Sequence, residues 1–169
     1  VIQKGGNAAM FGESIELLLS SGIALKCKKV EHGKFPIISQ VDLSSFKLYM
    51  SDVGLLTYKA GIDLASIMLN KPNELKGALA ENYVAEQLQG NKYDLYYWES
   101  NSQAEVDFII QKNGEVIPIE VKAEDNVKSR SLNVYVSKYN PTYAIRISSK
   151  NFGLKNNIKS VPLYAVHLI

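Results

Sequence analysis

"AEVDFIIQKNGEVIPIEVK", residues 104–122, decides the fold. At its centre Asn113-Gly114 is the favoured pair for a two-residue type I′ reversal, whose central residues both need positive φ. Such a turn fixes the register of the strands on either side. With Lys112 opposite Glu115, Ile110 faces Ile117, Phe108 faces Ile119 and Val106 faces Val121, which makes one face apolar. The same arithmetic sets Asp107 opposite Glu120, and Glu105 opposite Lys122, on the other face. Opposed Cβ atoms lie about 5 Å apart, and like charges there repel unless something sits between them. Two carboxylates at that spacing offer hard oxygen ligands suited to Mg²⁺ or Mn²⁺, which complete their shells with water and substrate phosphate. Lys122, two residues beyond Glu120, projects on the same side, where it would orient a water or stabilise charge in a phosphoryl-transfer transition state. The alternative is a solvent-facing sheet on which Lys122 neutralises one acid, and a bulge or one-residue slip would dissolve the pairing.

Working outward, "NELKGALAENYVAEQLQ" reads as a helix from residue 74 to 89. Gly77, Ala78, Val84, Ala85 and Leu88 lie three, four and seven residues from Glu81, so Glu81 falls on a core-facing stripe. A carboxylate there must be paired, protonated or metal-bound, because burying it alone is costly. Glu81 is thus a third candidate ligand, with a salt bridge or a helix-to-strand hydrogen bond as the structural alternative. Glu74 and Glu86 lie off the stripe and read as solvent residues. "YDLYYWE" (93–99) reads as a strand before the hairpin, residues 129–139 as a helix, and "TYAIRIS" (142–148) and "PLYAVHL" (162–168) as late strands. The order αβββαββ predicts an α/β domain around a mixed sheet.

Towards the N-terminus the spacing of Phe11, Ile15, Leu18 and Leu19 predicts a helix over 8–20 that stops at Gly22. "IALKCKKVE" reads as a strand, "HGKFP" as a turn and "FKLYM" as a second strand, the order of the end of a winged-helix module. Lys26, Lys28 and Lys29 would either touch phosphates or line a solvated or edge strand. "SDVGLLTYKAG" reads as a short helix capped by Ser51 or Asp52 and closed at Gly61. "LNKPNE" divides the chain into a winged-helix-like segment, 1–72, and an α/β domain, 73–169. His32 and His167 read as turn and core-edge residues, and Cys27 as a small buried apolar one.

The 169 residues are 46% hydrophobic with a net charge of +2, which argues against disorder and against nucleic-acid binding by bulk charge alone. One cysteine cannot form an internal disulfide, and no apolar run reaches the ~20 residues of a membrane span, so a reducing cytoplasm and no membrane contact are expected. "VIQKGGNAAM" has neither an initiating Met nor the layout of a signal peptide, and reads as the cut end of a longer protein.

Glu81 on a helix, "EVDF" with Asp107 and "IEVK" with Glu120 and Lys122 together resemble the PD-(D/E)XK nuclease superfamily. More narrowly, "FKLYMSDVGLL", "GALAENYVAEQL", "LYYWES", "AEVDFII", "IPIEVKAE" and "YAIRIS" are similar to the C-terminal domain of unknown function behind the AAA-type ATPase module of a prokaryotic ATPase family. This likeness runs from about Ile23 to the end. It implies a three-layer α/β nuclease-like mixed sheet preceded by a partial winged helix, with an ATPase module upstream as partner. The implied site has Asp107, Glu120 and Glu81 around Mg²⁺ or Mn²⁺, with Lys122 beside them, hydrolysing phosphodiester bonds of DNA or RNA. Val106 stands where the superfamily motif has proline. "GGNAAMFGES" lacks the Lys and hydroxyl of a phosphate-binding loop, so no nucleotide site is expected in this chain. The competing expectation is an inactive assembly module for the ATPase, using the aromatic strand Tyr93, Tyr96, Tyr97 and Trp98 as a contact surface.

Overall fold

The computed structural model describes residues 8–69, 74–100, 104–123 and 130–169. Its helices are α1 (Ala8–Ser20), α2 (Val53–Lys59), α3 (Leu64–Met68), α4 (Lys76–Gly90) and α5 (Arg130–Tyr139). Its strands are β1 (Ala24–Val30), β2 (Val41–Met50), β3 (Tyr96–Ser100), β4 (Ala104–Lys112), β5 (Glu115–Val121), β6 (Ala144–Ser148), β7 (Gly153–Lys155) and β8 (Ile158–Pro162). All eight join one mixed sheet in the order β2-β1-β3-β4-β5-β6-β8-β7. None of the described helices is long and apolar enough to cross a membrane.

Local chemistry sets the ends of these elements. Gly22 takes φ 72°, and the Gly22 and Ile23 N–H groups return to Leu19 O and Leu18 O, which closes α1. Asp52 accepts from Leu55 N at 2.7 Å and starts α2. Asn113 and Gly114 have φ 52° and 80°, the type I′ pair, and the strands pair Lys112–Glu115, Ile110–Ile117 and Phe108–Ile119 as the turn requires.

Two apolar clusters sandwich the sheet. On one side Val84, Ala85 and Leu88 of α4 pack on Cys27, Tyr97, Phe108, Ile110 and Ile119. On the other, Leu132 and Tyr135 of α5 pack on Tyr96, Trp98, Val106 and Ile109. Covering both faces buries Leu95 and the aromatic Tyr96, Tyr97 and Trp98 consecutively, so these three aromatic residues are core, while Tyr93 before the strand is half-buried.

The N-terminal strands belong to the same sheet. β1 and β2 pair antiparallel, in the helix–strand–turn–strand order of the winged-helix reading, but the other edge of β1 runs parallel to β3. The lysines of β1 therefore guard no edge: Lys26 pairs with Glu16 at 3.5 Å and Lys29 with Glu99 at 3.0 Å. The division expected at residue 72 falls outside the described residues.

At the C-terminal end "PLYAVHL" is not a strand. Pro162 closes β8 because it has no N–H to extend the ladder, and Leu163–Leu168 forms a 3₁₀ helix that buries the adjacent pair Ala165 and Val166. The last strand is instead β8, in a hairpin with β7 turned by Asn156 and Asn157 at φ 51° and 59°.

Candidate functional site

The strand β4 changes phase where the acids begin. Against β3, Val106 pairs with Trp98 but Ile109 pairs with Tyr96, so Asp107 and Phe108 share the space opposite Tyr97. This is a β-bulge, and it carries Val106 to the α5 side while Phe108 and Ile110 stay on the α4 side. The single apolar face expected from the hairpin arithmetic is thereby broken at Val106.

Asp107 does not form a regular cross-strand pair with Glu120. The ladder between β4 and β5 ends at Phe108–Ile119, and beyond it Oδ2 of Asp107 accepts from Val121 N at 2.7 Å. Past that fork β5 turns to its other neighbour, pairing Val121 with Ile147, and Lys122 N donates to Ile147 O at 2.8 Å. A side chain thus substitutes for a main-chain acceptor at the point where two strands diverge.

Glu120 lies on the α5 side. One of its oxygens accepts from Leu132 N in the first turn of α5 at 3.0 Å, and the other meets Lys122 Nζ at 2.6 Å. The carboxylate is 3% exposed, and the helix N-terminus and the ammonium together balance its charge. The expected nearness of Glu120 and Lys122 is therefore realised as an ion pair. Glu105, expected opposite Lys122, lies beyond the end of the β4–β5 ladder, and on its other side it faces Glu99 of β3.

Glu81 projects from α4 to the opposite side. Its Oε1 accepts from Lys47 Nζ at 3.2 Å and from the Tyr49 hydroxyl, and Lys47 also pairs closely with Glu105. Lys47 Nζ sits 5.0 Å from the Tyr97 ring centroid. Burial opposes the charge on Lys47, yet Glu81 and Glu105 outweigh it and hold the ammonium pKa above its ordinary value. Lys47 and Tyr49 did not stand out in the sequence reading; their signal was the second face of "FKLYM", where the two polar-tipped residues alternate with Phe46, Leu48 and Met50. The stripe around Glu81 is only partly core, since Gly77 and Ala78 are exposed. Glu86 is not a solvent residue either: it is half-buried and accepts from Val53 N at 3.1 Å, helping Asp52 cap α2.

Asp107 links the two sides electrostatically. Burial pushes its carboxyl up to about 7; the Val121 N–H works against that, and the charges of Glu81 and Glu120 add to it. Oδ1 takes no hydrogen bond among the described residues. Around this fork stand four carboxylates, Glu81, Glu105, Asp107 and Glu120, and two ammonium groups, Lys47 and Lys122.

Among the described residues no set of three or more His, Cys, Asp or Glu gathers closely enough to hold a metal by itself. A pair of carboxylates still fits Mg²⁺ or Mn²⁺, which keep several waters and take the remaining oxygens from a phosphate. At the fork Asp107 offers one free oxygen, whereas both oxygens of Glu120 are engaged by Leu132 N and Lys122 Nζ, so Glu120 would join it in holding an ion only by releasing Lys122. Cys27 is fully buried and burial pushes its thiol pKa far up, so it is no nucleophile; His32 and His167 are exposed and distant in sequence from the fork.

The model of the family described as Domain of unknown function (DUF4143) matches residues 76–166. The match runs from the start of α4 through the hairpin and α5 into the C-terminal 3₁₀ helix, and so includes all four candidate residues. No curated protein and no solved structure matches the chain.

Proposed function

The chain belongs to the DUF4143 family, a domain of unknown function, and on that premise we propose that the fork between β4 and β5 is a metal-dependent phosphodiesterase site of PD-(D/E)XK type, acting on DNA or RNA. The observation that carries this reading is Asp107: a bulge aims it into the fork, one oxygen is free, and Glu81 and Glu120 both make its charge unfavourable. In this reading Asp107 and Glu120 hold Mg²⁺ or Mn²⁺ and Glu81 acts through a water. When bound, the ion would neutralise charge on the phosphoryl oxygens and lower the pKa of a bound water. Lys122 orients the attacking water beside Glu120, and the Leu132 amide keeps Glu120 in place as that lysine exchanges partners. An upstream AAA-type ATPase module, a winged-helix origin for α1–β2 and a cytoplasmic setting complete the proposal.

A second reading is an inactive assembly module for that ATPase. It is favoured by Lys47, which already fills the space between Glu81 and Glu105 as a fixed internal cation. The two readings separate by experiment. Incubation of the intact protein with single- and double-stranded DNA and RNA, with Mg²⁺ or Mn²⁺, is expected to give cleavage that Asp107→Asn and Lys122→Ala each reduce by at least ~100-fold, the scale for losing one polar catalytic group. Cleavage that survives both substitutions overturns the first reading, and calorimetry without Mn²⁺ binding supports the second.

A further inference from the structure

We propose that the cleft between α5 and the β6–β8 end of the sheet binds the phosphodiester backbone of a nucleic-acid strand and leads it to the Glu120–Lys122 pair. The cleft has a volume of about 890 Å³ and is bordered by Arg130 and Lys138 of α5, Arg146 of β6 and Lys155 at the end of β7. Val134 and Ile158 give it apolar walls, and no carboxylate lines it among the described residues. On a protein whose net charge is only +2, Arg130, Lys138 and Lys155 around one cleft that no described carboxylate lines make a local anion field that the overall charge does not reveal.

Its position ties it to the proposed site, on which this part of the inference rests. Arg146 is the registered neighbour of Glu120 across β5 and β6, and Arg130 begins the helix whose Leu132 amide holds Glu120. Arg130, Lys138 and Lys155 have no carboxylate partner among the described residues, so their charge is available to a ligand. Lys138 is braced rather than neutralised: its ammonium lies 5.4 Å from the Trp98 ring centroid and 5.1 Å from that of Tyr139.

The geometry favours a chain over a single phosphate. Arg130 and Lys138 are eight residues apart on α5, about 12 Å along the helix at ~1.5 Å per residue. A stacked strand advances about 3.4 Å per nucleotide, so that distance spans three to four phosphates. Guanidinium groups match phosphate oxygens two at a time, and none of the lining side chains is aromatic, so contact is with backbone and independent of sequence.

The test is fluorescence anisotropy of the intact protein with a labelled 12-nucleotide single-stranded DNA and its duplex, in EDTA, across a salt series. The double variant Arg130→Gln/Lys155→Gln replaces two exposed side chains and is expected to bind about tenfold more weakly. Its log–log salt slope should be shallower by about 1.4, at about 0.7 per lost phosphate contact on a single strand. Lys59→Gln, on the exposed end of α2, should bind as the wild type does. An equal loss in Lys59→Gln, unchanged binding in the double variant, or preference for polyglutamate over the oligonucleotide overturns the proposal. Binding in EDTA without cleavage in Mg²⁺ leaves the cleft standing and removes the nuclease reading, whereas cleavage undiminished in the double variant does the reverse.

Discussion

Asp107 is the residue on which the site turns, and its charge has a measurable effect on stability. An unfolded aspartate loses its proton near ~3.9, while in the fold burial and the acids Glu81 and Glu120 hold it to about 7. Folding therefore takes up a proton between those values, and the contribution of this group to stability falls as pH rises from about 4 to about 7. Asparagine keeps an acceptor for Val121 N without titrating. Asp107→Asn is thus expected to raise the thermal midpoint at pH 8 and to lose most of that advantage at pH 5; an equal shift at both values would show that the charge is not strained. Glu120 and Lys122 were recognisable from sequence because two residues along a strand must share a side. The partners of Glu81 were not recognisable, because Lys47 and Tyr49 reach it from β2, more than thirty residues away.

At the scale of elements, α4 holds an edge of the sheet as well as a face. The buried Asn82 accepts from Met50 N at 2.8 Å and donates to Met50 O at 3.0 Å, occupying both main-chain groups as a neighbouring strand would. β2 is an edge strand, and this clamp covers its end. Asn82→Ala leaves a buried donor and acceptor unmatched and should cost about 2–3 kcal/mol in urea unfolding; a loss below about 0.5 kcal/mol would mean that water replaces the amide. The Asn113-Gly114 hairpin was legible in full because a two-residue turn dictates its own register. The bulge at the end of that ladder was not, since it arises from pairing with β3, a strand outside the hairpin. "PLYAVHL" misled for a related reason: apolar content suggested a strand, while Pro162 and the adjacent burial of Ala165 and Val166 require a tight helical turn.

For the whole molecule, the parallel pairing of β1 with β3 joins the N-terminal strands to the α/β core. One sheet with a common core should unfold as a unit. Trp98, the single tryptophan, lies buried in β3, the strand that joins β1 to the rest of that sheet. Its fluorescence and the far-ultraviolet circular dichroism should give the same urea midpoint, whereas two separated transitions would show that β1 and β2 unfold apart from the rest. The sequence by itself determined the local facts: the type I′ turn, the helix caps, the αβββαβ order and the presence of Glu81, Asp107, Glu120 and Lys122 on a helix and two strands. These follow from backbone sterics and side-chain periodicity within a dozen residues. Only the tertiary structure decided that Asp107 enters a fork between strands, that Lys47 holds Glu81, and that four cations surround one cleft. Those outcomes depend on which strand lies beside which, and the energy of that choice is spread over contacts between residues far apart in the chain.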